Sequence, residues 1–219
     1  MHRIVLGVSL VTLLALPAPA QVGISFFGGL ATPSASINDV YNRAGFRSGD
    51  TLRSLLREAA RLGYQLGIRT RSTLSERFSF IGGIALVRFP QSRLYVTDPQ
   101  SGDTLAVLAS VQNLVPISAG VEFHVLPGPL QLSVSGQLSY TILNTSTDWE
   151  RGTISVPLAL GTQNSHRVGA DVGAGIGLAA GPVGIGAEVR YAISNLIGRV
   201  EGEEPKSYLS LLLVLTLGL

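Results

Sequence analysis

Five charged residues lie in segments where small or polar residues alternate with apolar ones. One side of each segment therefore carries mainly Gly, Ser and Gln, and the other carries Leu, Val, Ile and Tyr. The five charged residues are Arg69, Glu122, Asp171, Glu188 and Arg190. All five fall on the Gly, Ser and Gln side. A charge removed from water is tolerated only when it is paired with an opposite charge. The pattern therefore predicts a structural ion-pair cluster in the interior, and a role in ion selectivity is the alternative.

Other polar residues have the types needed for metal binding but not the spacing. His124 stands two residues from Glu122, and the absence of a second His or Cys nearby in the sequence argues against a zinc site. Asp98 and Asp103 bracket a segment of turn composition, which predicts a hairpin tip and not a Ca²⁺ loop. We predict no catalytic, cofactor-binding or metal-binding residue.

Eight segments of the chain must position these charges. In each of them apolar residues alternate with small or polar ones, and this period of two predicts a β-strand. The last segment is the clearest, because leucine occupies every odd position from Leu209 to Leu219. Phe27 and Ile81 depart from the pattern, since each is a large apolar residue on an otherwise small or polar face. The eight segments are Val22–Ala31, Leu62–Arg71, Phe78–Arg88, Leu114–Leu126, Leu130–Ile142, Val168–Leu178, Val183–Ile193 and Tyr208–Leu219.

The composition of the two faces indicates which one points inward. The Gly, Ser and Gln face is poor material for a water-exposed exterior, whereas the apolar face carries no charge at the strand centres. Apolar-out and polar-in is the pattern of membrane barrels, in which closure pairs every backbone group. We predict a closed eight-stranded antiparallel transmembrane up-and-down β-barrel; a lipocalin-like barrel or a β-sandwich is the soluble alternative.

The connections between the segments alternate between short and long, as expected of short periplasmic turns and long external loops. A two-residue turn at Ala180-Gly181 would place Asp171 directly opposite Arg190 on the inner face. Within the first loop, Asp50–Arg61 has leucines at helical spacing with arginines on the other side. This spacing predicts a short helix that closes the barrel mouth or, alternatively, meets anionic lipid headgroups.

Composition limits the class of protein further. Charged residues make up 14% of the 219-residue chain, the formal net charge is +2 and there is no Cys. Mean hydropathy is +0.37. These values argue against a nucleic-acid binder and against a disulfide scaffold. Met1–Ala20 has a basic start, an apolar run and a small-residue cleavage motif, so it is predicted to be a cleaved signal peptide. Gln21–Leu219 would then be the barrel domain.

The chain resembles the small outer-membrane β-barrel proteins of Gram-negative bacteria, the OmpA/OmpW-like and PorT-like group. The shared features are a Gly-rich first strand followed by Pro33, the Val115-Pro116 strand entry, Gly173-Ala174-Gly175, Glu188-Val189-Arg190-Tyr191 and an alternating apolar last strand. The resemblance implies a monomer in the outer membrane, in contact with its lipids and recognised by the barrel-insertion machinery through the C-terminal strand. Family members often end in an aromatic residue, whereas this chain ends in Leu219.

Three functions from different classes fit this fold. The first is a structural or surface-interaction barrel with a lumen filled by side chains, and it is the default. The second is a narrow transporter of small apolar molecules, as in OmpW-like barrels. The third is a lipid-modifying barrel enzyme using Ser165-His166 at the external rim, although no spacing marks a triad. The fold alone does not identify a function. Because the sequence shows no catalytic spacing, we predict that the protein is not an enzyme.

Overall fold

A computed structural model describes residues 22–34, 54–57, 62–98, 101–126, 128–152, 161–199 and 205–218. The predicted signal peptide, Met1–Ala20, lies outside these residues, as does most of the predicted helix at Asp50–Arg61. Among the described residues, no helix is long and apolar enough to cross a membrane.

In the described part of the chain, nine antiparallel strands form one sheet, and eight of them close into a barrel. Each barrel strand pairs with the next in the chain, and the first pairs with the last, which confirms the predicted up-and-down topology. The extra strand, β2, pairs only with β4 among the described strands. The strands are β1 (Val22–Pro33), β2 (Ser54–Arg57), β3 (Gly63–Thr73), β4 (Phe78–Thr97), β5 (Thr104–Leu126), β6 (Leu130–Gly152), β7 (Gly161–Ala180), β8 (Val183–Ile197) and β9 (Ser207–Gly218).

The two faces of the barrel wall differ as the sequence predicts, with apolar side chains outward. On β9, Leu213 is 74% exposed while the adjacent Leu212 is 1% exposed, because successive side chains point to opposite faces. The described barrel therefore carries a continuous apolar belt around its outside. We call the end with the short connections the turn end and the opposite end the loop end.

The strands run further toward the loop end than predicted. The hairpin of β4 and β5 turns only at Asp98–Asp103, and β6 and β7 extend through much of the predicted loop Leu143–His166. The apolar alternation stops where the belt stops, but the backbone hydrogen-bond ladder needs no apolar side chain to continue. A β-bulge between Phe89 and Ser92 accommodates Pro90, which has no N–H to give to a ladder.

The predicted helix in the first loop is wrong for the four residues that can be compared. Ser54–Arg57 form strand β2, which pairs with Leu94–Thr97 at the loop end of β4. The extension of β4 beyond the belt presents backbone groups that a passing segment can pair with. That pairing overrides the helical spacing of Leu55 and Leu56, because local propensity yields to tertiary context.

The turn between β7 and β8 also differs from the prediction. Ala180 pairs with Val183, so the turn residues are Gly181-Pro182 and not Ala180-Gly181. Gly181 has φ +61°, which a type II′ turn requires at its first central position, and proline has the negative φ needed at the second. The shift places Gly173, and not Asp171, directly opposite Arg190.

Candidate functional site in the lumen

The centre of the lumen holds an acidic residue between two arginines. Arg69 Nη2 donates to Glu188 Oε2 at 2.8 Å, and Arg190 Nε donates to Glu188 Oε1 at 3.0 Å. All three side chains are at most 8% exposed. Arg69 lies on β3, whereas Glu188 and Arg190 both lie on β8. Because β3 and β8 are not neighbours in the barrel, the Arg69–Glu188 pair crosses the interior.

Asp171 joins this group diagonally. Arg190 Nε lies 3.5 Å from Asp171 Oδ1, one rung away from the directly opposite position that was predicted. Gln137 Nε2 on β6 also donates to Asp171 Oδ1 at 3.1 Å, and Ser118 on β5 donates to Gln137 at 2.9 Å. We call Arg69, Asp171, Glu188 and Arg190 the central ion cluster; its two cations and two anions balance.

Glu122, the fifth predicted residue, lies in a separate pair closer to the turn end. Arg71 Nη2 donates to both carboxylate oxygens of Glu122, at 2.8 and 3.0 Å. His124 Nδ1 lies 3.7 Å from Glu122 and its Nε2 lies 3.2 Å from Ser79 Oγ. Arg71 was not predicted as a site residue, although its position two residues after Arg69 places it on the same face of β3.

An aromatic ring lies against the central ion cluster. The guanidinium carbons of Arg69 and Arg190 are each 5.7 Å from the centroid of Phe27, within range of a cation–π contact. The ring occupies space left by Gly67, where a Cβ would lie 2.8 Å from Phe27 Cε2 and 2.7 Å from the Ile84 carbonyl oxygen. This explains why the sequence places a large apolar residue on the polar face at Phe27.

An apolar layer fills the lumen on the loop-end side of the central ion cluster. Its rings of Phe89 and Tyr208 meet edge to face, with centroids 5.9 Å apart. Its members are Ala31, Val87, Phe89, Leu114, Leu143, Ala192 and Tyr208, all buried. A water or ion moving along the barrel axis would have to pass between these packed side chains.

The turn-end half of the lumen is open by contrast. A cavity of about 640 Å³ reaches the short turns and is lined by Arg71, Glu122 and His124 on one side and by glycines and serines of β6–β8 on the other. A second space within the central ion cluster, bordered by Phe27 and Tyr208, measures only about 10 Å³. That volume holds about one water molecule. The described lumen is therefore open from the turn end as far as the central ion cluster, which is followed by the apolar layer. We call these two layers together the two-layer plug.

The candidate catalytic pair at the loop end is not assembled. His166 faces outward, where its Nδ1 lies 2.9 Å from Tyr140 Oη and the two rings stack. Ser165, one residue earlier on β7, points to the opposite face of the strand. Among the described residues, no group of three or more His, Asp or Glu is placed to hold a metal ion.

Comparisons with known proteins give a likeness of fold. No protein-family model matches the chain. No curated protein matches it in sequence. Among solved structures, Neisserial surface protein A (NspA) is 14% identical, with 90% of this chain and 96% of that chain covered and a TM-score of 0.55. Ail of Yersinia pestis is 12% identical over 91% and 99% of the two chains (TM-score 0.49). The N-terminal β-barrel domain of Pseudomonas aeruginosa OprF is 12% identical over 90% and 97% (TM-score 0.44). The likeness to NspA confirms, at the level of fold, the resemblance to small outer-membrane barrels.

Proposed function

We propose that this chain is an integral outer-membrane β-barrel with a plugged lumen, whose role is structural or lies in surface interactions. The observation that carries the proposal is the two-layer plug, in which the apolar layer lies directly against the central ion cluster. An eight-stranded barrel has an interior just wide enough for side chains to fill. A barrel filled in this way does not conduct, and in the outer membrane its loop end faces the outside of the cell.

The height of the outer apolar belt supports a position in a bilayer. On β4 the outward side chains are apolar or small from Phe78 to Leu86, and Arg88 follows. At about 3.3 Å per residue and a tilt of about 40°, the stretch from Phe78 to Arg88 rises roughly 25 Å. That height equals the apolar band expected of outer-membrane barrels.

Cell fractionation tests the location. We expect the full chain, expressed in a Gram-negative host with its N-terminal segment, to be recovered in the outer-membrane fraction. It should also run at a different apparent mass on unboiled gels, because a closed hydrogen-bonded barrel resists detergent. Recovery as a soluble periplasmic protein would contradict the proposal.

Planar-bilayer recording tests the plug. The refolded protein should show conductance near baseline, because the apolar layer and the central ion cluster leave a space for about one water. A porin inserted in the same bilayers is the positive control. Stable openings of porin size would show that the lumen is not plugged in the bilayer, whatever the location of the protein in the cell.

Neither alternative has comparable support. A transporter of small apolar molecules needs an open apolar trough at the loop end, but in the described barrel Phe89, Leu114 and Leu143 pack against one another there. A lipid-modifying enzyme needs a nucleophile and a base within hydrogen-bond reach, and Ser165 and His166 point to opposite faces. The proposed monomer and its recognition by the insertion machinery rest on the resemblance alone.

A further inference from the structure

A cavity in the turn-end half of the lumen has the size of a small-molecule site. Its volume is about 640 Å³, and it extends from the short connections to the central ion cluster. Small-molecule sites in proteins measure roughly 300–1,000 Å³. We call this space the turn-end cavity. Because it ends at the two-layer plug, a ligand can enter it from the turn end while the plug stays in place.

Glycines keep one wall of the turn-end cavity free of side chains. Gly175 on β7 and Gly184 on β8 both line it, and neither has a positive φ. The heavy atom nearest to an added Cβ would be Ser133 Oγ at 3.3 Å for Gly175, and it would lie 3.6 Å away for Gly184. Packing does account for Gly186, where a Cβ would lie 2.7 Å from the Ile176 carbonyl oxygen. Glycine weakens a strand interior, so Gly175 and Gly184 give up stability and leave the cavity open.

Polar groups in the turn-end cavity have hydrogen-bonding capacity that the protein does not use. Gln131, Ser133 and Ser135 lie at alternate positions on β6 and line the cavity. In the part of the chain that the structure describes, none of these three side chains makes a hydrogen bond. At the deep end, Arg69 is 4% exposed and its Nε N–H has no acceptor; Arg71 Nε also lacks one. Such groups call for a partner that the protein itself does not supply.

The charges along the turn-end cavity are already balanced. Two arginines face two glutamates, in the pairs Arg69–Glu188 and Arg71–Glu122. Among the described lining residues, Glu76 is the one acidic residue outside these pairs, and it is exposed at the mouth. A charged ligand would bring into the interior a charge that has no counterpart there. A neutral ligand with several hydroxyl groups avoids that cost, and each hydroxyl can both donate and accept.

We propose that the turn-end cavity binds a neutral disaccharide. Gln131, Ser133 and Ser135 would bond its hydroxyl groups, and the wall at Gly175 and Gly184 leaves room for its rings. Alternate residues on a strand are about 7 Å apart, so the three β6 side chains span roughly 13 Å and can contact more than one ring. The direction of entry rests on the proposed function, because in an outer membrane the turn end faces the periplasm.

Saturation-transfer NMR of the full chain tests this inference, in a detergent without a sugar headgroup. The probe is trehalose, an uncharged disaccharide, and trehalose 6-phosphate is the charged comparison. We expect saturable transfer to trehalose and weaker transfer to the phosphate. Gly175→Val and Gly184→Val should abolish the transfer to trehalose, because valine would occupy space that the sugar needs. Gln131→Leu should raise the dissociation constant about tenfold, as happens when a ligand group loses its hydrogen-bond partner.

Gly136→Val is the matched control, since Gly136 is a β6 glycine on the outer face with nothing within 4 Å of an added Cβ. It should bind trehalose as the wild type does. Gel mobility before boiling is checked for every variant, and Gln131→Leu decides if the Gly175 and Gly184 variants do not fold.

Four results would overturn the inference: no transfer to trehalose in the folded wild type, unchanged transfer in the folded cavity variants, equal loss in Gly136→Val, or a preference for trehalose 6-phosphate. A folded barrel that does not bind trehalose contradicts only this inference. A wild-type chain that forms no barrel contradicts the proposed function.

Discussion

Replacing Arg190 by Gln is expected to lower the free energy of unfolding by about 3–5 kcal/mol. The change would leave Asp171 without its arginine and Glu188 with one arginine in place of two, in an interior where all these side chains are under a tenth exposed. A buried charge that has lost its partner keeps its desolvation cost and loses the attraction that offset it. Urea titration of the barrel refolded in lipid vesicles measures the difference.

Arg93→Gln is the control for this result. Arg93 pairs with Glu150 at 2.9 Å, but their side chains are 43% and 34% exposed, so the pair should contribute no more than about 1 kcal/mol. The double variant Asp171→Asn with Arg190→Gln should be more stable than Arg190→Gln alone, because the remaining Arg69–Glu188 pair is balanced. If Arg190→Gln costs no more than Arg93→Gln, the central ion cluster is solvated and does not act as a plug.

Gly67→Val is expected to destabilise the barrel by about 3 kcal/mol, near the upper end of overpacking costs. A Cβ at this position would lie 2.7 Å from the Ile84 carbonyl oxygen of the neighbouring strand and would meet the Phe27 ring. Both contacts are too short, so β3 and β4 must separate and the ring must leave its place beside Arg69 and Arg190. The measurement is the same urea titration.

Gly136→Val is the matched control, because a Cβ there has nothing within 4 Å. Gly136 faces outward on β6, and valine fits a pleated, half-buried surface better than glycine, so this variant should be neutral or slightly stabilising. Equal losses of stability in the two variants would show that glycine matters for backbone conformation and not for the seating of Phe27.

The sequence was sufficient for the number of barrel strands, for their order and for the face that points outward, because all three follow from a period of two and from the chemistry of each face. It was not sufficient for the register of β7 and β8. The registers given by Ala180-Gly181 and Gly181-Pro182 differ by two residues, which keeps every side chain on its predicted face and so leaves no trace in the pattern. The preference of a II′ turn for glycine at its first central position was the signal that distinguishes them.

The alternating pattern also could not predict which charged residues pair with each other across the lumen. Alternation says that Arg69, Arg71, Glu122 and Glu188 share the interior, but not at which height each one lies. In the structure Arg71 pairs with Glu122 and Arg69 pairs with Glu188. The stagger of the strands sets the height of each residue and so decides these pairs. The position of β2 was unpredictable for a different reason, since it depends on the extension of β4 beyond the belt.

The closing pair of β1 and β9 has a consequence for how the barrel forms. Ser25 Oγ and Thr216 Oγ1 lie 2.8 Å apart although 191 residues separate them in the chain. Contacts this distant in sequence slow folding, because the chain entropy lost in bringing the ends together precedes the gain from pairing. Every other neighbouring pair in the barrel can form as a local hairpin, so the β1–β9 seam is expected to form last. Until it does, two strand edges with unpaired backbone groups remain open, and these are the surfaces by which incompletely folded chains would associate.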